Sequence, residues 1–361
     1  MFHELPGRDV TFATVLAKQG FRVIVAKMRK TQEIDDALST LSPVLVPGGQ
    51  EIVGLKRLSG GASQETWAFS VRTKAGEETS LILRRTPGGK GSATSENAIG
   101  LAMEAQIQKI ATAASVPVPR IVHVCAPEDG LGEAYVMGRL EGETLAPKIL
   151  RGEAFASARE RLATQCGQAL AGIHAIDTNL LAELPESGGL DQLARYEETY
   201  LSLDLPSPVF DLTFQWLRTH APAPLSPVLV HGDFRLGNLM VDETGLVGVL
   251  DWELAHRGDP REDLAWICVN SWRFGRADKR VGGFGDLEPL LAAYTSAGGC
   301  AFALEDIDWW EMLGSLKWGV MCMMMYEAHR SGADPSVERV TIGRRVSETE
   351  MDLVNLLERV T

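Results

Sequence analysis

VLVHGDFRLGNLMVD at 228–242, followed by VGVLDWE at 247–253, is the stretch on which the reading of this chain turns. Long windows around it keep a helical period, whereas this segment consists of short apolar runs broken by Gly, Asn and Asp. It predicts strand and loop set inside a helical domain, a place where rigid scaffolds hold functional side chains. Residues 228–230 and 246–250 are runs that can be buried. Loops at their ends then expose Asp233 and Asp251 in one cleft, with Gly232 and Gly237 where the backbone bends. Asn238 follows Asp233 by five residues. Phosphoryl transfer asks a protein for a carboxylate that takes a hydroxyl proton and for oxygen ligands to a hard cation. Asp233 is therefore read as the base, Asn238 and Asp251 as magnesium ligands, and Arg235 as a group that steadies the acceptor or pairs with a carboxylate.

Outward from this segment, 361 residues predict two lobes at roughly 100–200 residues per domain. Residues 51–85 read as strands: Trp67, Phe69 and Val71 share a face at period two, 74–78 is a turn, and 79–85 is a further strand. Residues 95–114 change to period 3.6, with Ile99, Met103, Ile107, Ile110 and Ala114 in one stripe that VPVP at 116–119 ends. Strands follow near 121–125 and 134–138. Helical windows then cover 153–176, 189–203, 207–220, 261–273, 286–298, 306–330 and 344–359, and a short amphipathic helix precedes the strands at 31–41.

Composition excludes several classes. A formal net charge of -13 disfavours nucleic acid and anionic membrane surfaces as partners. Five scattered cysteines without a C-x-x-C pair suggest neither a disulfide framework nor a structural zinc site. The most apolar long window, 309–326, is interrupted by Glu311 and Lys317 and reads as a buried helix, and Lys18, Gln19 and Arg22 break the apolar stretch a signal peptide would need. A cytoplasmic protein is the expectation. GGKGSATS at 88–95 lacks the spacing of a Walker A loop, and neither G-x-S-x-G nor H-E-x-x-H occurs.

H-G-D-x-x-x-x-N followed by D-x-E resembles the catalytic core of the aminoglycoside phosphotransferase family, distant relatives of protein kinases. The resemblance continues through GDPREDLAW at 258–266, SWRFG at 271–275 and GRRVSETEMDLVNLLE at 343–358, and covers roughly 31–361. Within the family the chain looks most like bacterial members of unassigned substrate, related to kinase domains found with acyl-CoA dehydrogenases. The resemblance implies an α+β, protein-kinase-like two-lobe fold. Residues 1–48 would be an N-terminal extension, 49–138 an antiparallel sheet lobe with one helix, and 139–361 the hinge and a mostly helical lobe. It implies ATP between the lobes, with GTP the alternative, and Mg2+ on Asn238 and Asp251. RLSGGASQETWAFSV at 57–71 is similar to the loop over nucleotide phosphates, which assigns Gly60, Gly61 and Ser63 to the cofactor. Arg84 stands where the family pattern has a phosphate-binding Lys, as a planar fork in place of a point charge. Glu104 is the matching ion-pair partner, with Glu96 its rival, and Met137 lies in the hinge whose backbone would meet the adenine. The acceptor implied is a small-molecule hydroxyl, in its sharpest version a hydroxyacyl-CoA. An aminoglycoside or other antibiotic is the alternative, and a regulatory nucleotide-binding pseudokinase is the reading of another class.

Other residues have structural readings. His231 supports its loop, Asp259 and Asp263 cap and anchor the helix that follows, His174 is a satisfied core histidine, and the Met-rich run at 321–325 fills core. Trp309 and Trp310 pack. Arg273, Arg276, Lys279 and Arg280 are candidates for a basic rim that would meet CoA phosphates. Glu305, Asp306, Asp308 and Glu311 are candidates for an acidic aminoglycoside pocket, or simply helix-start acids on a solvated face.

Overall fold

The structure, a computed structural model, describes residues 30–58, 64–89 and 99–360. They fall into two compact units. The smaller holds the described residues within Met1–Ser92 and Ile121–Arg139, and the larger those within Ala93–Arg120 and Leu140–Thr361.

The smaller unit is a five-stranded antiparallel sheet with a helix on one face. Helix α1 (30–45) leads into β1 (Gly49–Arg57), β2 (Glu65–Thr73), β3 (Glu78–Arg85), β4 (Ile121–Val124) and β5 (Ala134–Gly138), in spatial order β1-β2-β3-β5-β4. Ile34, Leu38, Leu41 and Leu45 of α1 bury against Trp67, Phe69, Val71, Leu81, Leu83 and Val136. The strand residues in that set alternate along β2 and β3, as a sheet with one covered face requires. Glu65 and Arg85 pair in register, and both are buried; Lys30 and Arg57 reach the same carboxylate. Burial by itself would raise the Glu65 pKa; Lys30, Arg57 and Arg85 overcome it and hold the carboxyl below its usual range. The helix on this sheet is α1, which the sequence reading assigned to an N-terminal extension.

Helix α2 (Leu101–Ala113) belongs to the larger unit's core through Ile107 and Ala111, although the sequence reading grouped it with the sheet. Its companions there are α3 (Ala146–Arg151), α4 (Ala156–His174), α5 (Gly189–Ser202), α6 (Pro208–Thr219), α7 (Arg261–Trp266), α8 (Leu287–Ser296), α9 (Glu305–Arg330), α10 (Val337–Gly343) and α11 (Val346–Val360). Helix α9 has Glu305, Asp306 and Asp308 in its first turn and His329 and Arg330 in its last, the charge order its dipole favours. Its middle, including Met312, Leu313, Leu316 and Val320, is buried and forms the spine of this unit. Ser207 caps α6 by accepting from the Phe210 N–H at 3.3 Å, with Pro208 at the first helical position.

Two small antiparallel ribbons interrupt the helices. β6 (Val228–Val230) pairs with β9 (His256–Gly258), and β7 (Leu239–Asp242) with β8 (Gly245–Val249). The β7–β8 turn closes because Asp242 Oδ1 accepts from the backbone of Thr244 and Gly245 at 2.7 and 3.1 Å. Among the described residues no helix is long and apolar enough to cross a membrane.

Candidate active site

The loop from β6 to β7 starts with an anchored backbone. The N–H groups of His231 and Gly232 donate to Asp263 Oδ2 and Oδ1 at 2.8 and 3.0 Å. Asp263, on α7, is fully buried, and His174 Nε2 lies 3.2 Å from its Oδ2. His174 Nδ1 in turn meets the Tyr294 hydroxyl at 2.9 Å. A buried carboxylate is tolerated when donors surround it, as they do here. Asp263 thus anchors the loop, where the sequence reading had it capping its own helix. Asp259 does meet the helix start: its Oδ1 accepts from Arg261 N and Nε at 3.0 and 2.8 Å.

His231 is buried, and both ring nitrogens are engaged. Nε2 contacts the Leu250 carbonyl at 3.0 Å; a carbonyl only accepts, so this nitrogen carries the hydrogen. Nδ1 is then the acceptor for the Asp233 N–H at 3.2 Å. A ring used twice within the loop supports backbone and has no nitrogen left for a reacting proton. Gly232 has φ +81, and a Cβ there would lie 2.4 Å from the Leu254 carbonyl oxygen, so the bend demands glycine.

The Asp233 carboxylate is held on three sides. Oδ1 accepts from Arg235 Nε at 2.9 Å and from Trp266 Nε1 at 2.7 Å. Oδ2 accepts from Asn238 Nδ2 at 2.6 Å. Asn238 Nδ2 also donates to the Asp233 carbonyl at 2.9 Å. The Asn238 carbonyl accepts from Leu250 N at 2.8 Å, and this bond sets the start of Asp251 beside Asn238. Asp251 itself has φ +66, a left-handed conformation that costs a non-glycine residue about 1–2 kcal/mol and is a mark of functional positions. Asn238 donates twice through Nδ2, and among the described residues its Oδ1 takes part in no hydrogen bond. An amide oxygen of Asn238 and a carboxylate of Asp251 are both hard oxygen donors, the chemistry that fits magnesium.

Beyond Asp233 stands a wall of tryptophans. Trp266 and Trp272 lie 5.5 Å apart, Trp272 and Trp318 4.8 Å, and Met321 packs against them. The Arg235 guanidinium covers Trp272 at 4.6 Å, and that of Arg345 covers Trp318 at 5.7 Å. Behind Trp266 lies a buried polar network: Lys317 Nζ donates to Gln192 Oε1 at 2.7 Å and Glu262 Oε1 at 3.0 Å, while His256 Nε2 meets Glu262 Oε2 at 3.1 Å. Burial would raise the Glu262 pKa, but Lys317 and His256 overcome it and push the carboxyl far below its usual range. Burial would likewise lower His256 and Lys317; Glu262 reverses both and raises them. Burial pushes the Cys268 and Cys322 thiols up to about 12, which removes them as nucleophiles.

The structure therefore brings Asp233, Arg235 and Asn238 into direct contact and sets Asp251 beside them through the backbone. In the smaller unit, Arg84 pairs in register with Thr66 and Tyr135, and Met137 with Ile82, so Arg84 and Met137 share the sheet face opposite α1. β3, which carries Arg84, is an inner strand of the sheet. Glu104 is fully buried on α2. Gly60, Gly61, Ser63 and Glu96 lie outside the described residues. Trp266 and Trp272 were missed as site residues, although both lie in segments quoted for the family resemblance.

The proposed basic rim is not a free one. Arg273 and Arg280 donate to the buried Glu311 at 2.6 Å each, Arg280 also reaches Asp308 at 2.5 Å, and Arg359 joins both acids. Lys279 pairs with Asp286 and Arg276 with Asp278. The same contacts commit Asp308 and Glu311 of the rival acidic cluster, while Asp306 accepts from the Ala303 N–H at 2.8 Å. A cavity of about 780 Å³, lined by Leu205, Met323, Tyr326, Val340 and Val346 among others, includes none of Asp233, Asn238 and Asp251.

Residues 54–308 match the model of the phosphotransferase enzyme family, well over half of the chain. The chain belongs to this family. The family is one of phosphotransferase enzymes. A curated relative is acyl-CoA dehydrogenase family member 10 of Mus musculus, 33% identical over 199 residues, which are 52% of this chain and 18% of that protein. The chain thus matches only about a fifth of that relative's length. Among solved structures, a putative aminoglycoside phosphotransferase from Ralstonia eutropha superposes with a TM-score of 0.70 at 21% identity, covering 90% of this chain and 98% of that one. The APH(2")-IIa ternary complex with streptomycin and ATP superposes with a TM-score of 0.54 at 16% identity, covering 80% and 89%. These likenesses establish the fold: α+β, protein-kinase-like and two-lobed, with an antiparallel sheet in the smaller lobe.

Proposed function

We propose that this phosphotransferase uses magnesium–ATP to phosphorylate the hydroxyl of a hydroxyacyl-type small molecule, with Asp233 as the base. The observation that carries this reading is the Asp233 carboxylate held by Arg235, Trp266 and Asn238. Asp233 takes the hydroxyl proton as the oxygen–phosphorus bond forms; the bond from the γ-phosphorus to the bridging oxygen breaks, and ADP leaves. Magnesium, when bound by Asn238 and Asp251, supplies charge neutralisation for the phosphates. Among the described residues the Arg235 Nη groups make no hydrogen bond, so they are available to an anionic or carbonyl oxygen beside the reacting hydroxyl. Arg84 and Met137, on one sheet face, are the proposed nucleotide contacts, with Gly60, Gly61, Ser63 and Glu104 completing the set.

Two observations support a hydroxyacyl acceptor. Several curated relatives are named as acyl-CoA dehydrogenase family members. Trp272, Trp318 and Met321 offer apolar surface next to Arg235, which suits an acyl chain with a carbonyl. Of the acids considered for an aminoglycoside, Asp308 and Glu311 are already paired with arginines. The test is magnesium–ATP consumption with mass detection of products, across hydroxyacyl-CoAs, amino alcohols and aminoglycosides, beside Asp233→Ala. Phosphorylation of hydroxyacyl compounds, lost in the variant with nucleotide binding retained, is the expected result. Transfer to an aminoglycoside alone overturns the acceptor, and transfer that survives in Asp233→Ala overturns the base.

A further inference from the structure

Helix α7 grips the catalytic loop twice. Asp263 holds its backbone, and Trp266, the last residue of the same helix, holds the Asp233 carboxylate. The indole contact is 2.7 Å, shorter than the usual 2.9–3.0 Å of an N–H···O bond and in the range of charge-assisted ones. The ring is buried and has little freedom. Trp272 packs at 5.5 Å, and Gly314 of α9 comes so close that a Cβ there would lie 3.2 Å from the indole. The Lys317 ammonium sits 5.3 Å from the ring centroid, where a cation polarises the indole and strengthens its N–H as a donor.

The donors are distributed unequally over the carboxylate. An ionised carboxylate offers about four lone-pair directions, two on each oxygen. Arg235 Nε and Trp266 Nε1 fill both on Oδ1, whereas Asn238 Nδ2 fills one on Oδ2. Among the described residues, the direction left open is on Oδ2.

We propose that Trp266 is a positioning residue: with Arg235 it saturates Oδ1, fixes the plane of the carboxylate and leaves Oδ2 as the oxygen that receives the acceptor's proton. This rests on the reading of Asp233 as the base. Without the indole N–H, Oδ1 regains a free direction, the carboxylate can turn about its Cβ–Cγ bond, and Oδ2 no longer faces the hydroxyl for most of the time.

Trp266→Phe keeps an aromatic ring and deletes the donor. Turnover should fall about tenfold to a hundredfold, the scale of a misplaced catalytic group, while KM for ATP stays within about twofold, since the indole touches the base and not the nucleotide. A spectroscopic arm is independent of turnover. The protein has 8 tryptophans, hence as many indole N–H resonances in a ¹⁵N–¹H spectrum, and the one from Trp266 is identified by its loss in Trp266→Phe. It should lie downfield and exchange slowly in the parent protein, and move upfield in Asp233→Ala. An unmoved Trp266 resonance in Asp233→Ala, or unchanged turnover in Trp266→Phe, overturns the proposal. Should Trp266→Phe not fold, the resonance is assigned through its neighbours and the Asp233→Ala comparison decides. A parent protein that transfers phosphoryl to no acceptor overturns the reading of Asp233 instead, and is recognised because the inactivity is not confined to the variant.

Discussion

Replacing Asp263 with alanine removes the acceptor of the His231 and Gly232 N–H groups, bonded at 2.8 and 3.0 Å in a fully buried position. A buried donor left unpaired costs about 1–3 kcal/mol, so the pair sets a range of about 2–6 kcal/mol. The lost carboxylate leaves space that a water can enter to rehydrate one donor, which moves the expectation to about 3 kcal/mol, or more than a hundredfold in the folding equilibrium. His174 Nε2, 3.2 Å from the same carboxylate, loses its acceptor as well and pushes the loss upward, although its Nδ1 keeps Tyr294. The assay is urea denaturation followed by tryptophan fluorescence, with the stability change taken from the midpoint shift and slope. Every tryptophan except Trp67 lies in the larger unit, so the signal reports the unit that holds Asp263. Asp263→Asn should fall between the two, because an amide can accept one N–H but turns a donor toward the other. A loss below about 1 kcal/mol in Asp263→Ala would refute the reasoning, since the loop would then be held by something other than these bonds.

Two further outcomes follow from buried charge. His256 has its pKa raised above the ordinary 6.5 by Glu262 against the opposing effect of burial, so the stability it contributes is full below that value and lost as pH rises through the raised one. Glu262, depressed below 4.5 despite burial, contributes above that value and loses its contribution as pH falls. The stability difference between the parent protein and His256→Gln, measured by urea melts at about pH 6 and about pH 8, should therefore shrink at the higher pH; growth of the difference would contradict the pairing. Glu311→Gln leaves Arg273, Arg280 and Arg359 without their shared carboxylate and should cost about 3–5 kcal/mol, whereas Lys279→Gln at a partly exposed pair should cost less than about 1 kcal/mol. Thermal melts of both variants check the contrast.

The local periodicities were readable where one face is buried. Trp67, Phe69 and Val71 alternate because α1 covers that side of β2, and the stripe of α2 follows the core it joins. The H-G-D-x-x-x-x-N segment was readable because its glycine and asparagine each answer a local demand, a left-handed bend and an amide that ties down the Asp233 carbonyl and carboxylate. What escaped the sequence reading depends on distant partners. Asp263 looks like any acid near a helix start until β6 is seen to end against it, 32 residues away in sequence. Trp266 looks like core until its indole is found on Asp233, 33 residues away. The basic and acidic clusters at 273–280 and 305–311 each invited a ligand because each was considered alone; folding pairs Arg273 and Arg280 of the first with Asp308 and Glu311 of the second. The helices at 146–151 and 337–343 are too short to show a period, and tertiary packing decides them.

The cancellation of those clusters bears on what the acceptor can be. If Arg273 and Arg280 are committed to Glu311, they cannot supply much phosphate binding without exposing a carboxylate that is 1% accessible, and the cost of that exposure opposes any gain. The Asp308 and Glu311 carboxylates are equally committed and offer little to a polycation. The charge left near Asp233 is then that of Arg235, whose Nη groups carry no hydrogen bond among the described residues. It lies on Trp272, within an apolar wall that continues to Trp318 and Met321. The Arg235 guanidinium on an aromatic surface, bonded to the proposed base Asp233, matches an acceptor with one carbonyl or acid oxygen close to its hydroxyl and a hydrocarbon remainder. It matches a polyamine poorly, because Arg235 repels the charge and the tryptophan face it covers is no longer open to another cation.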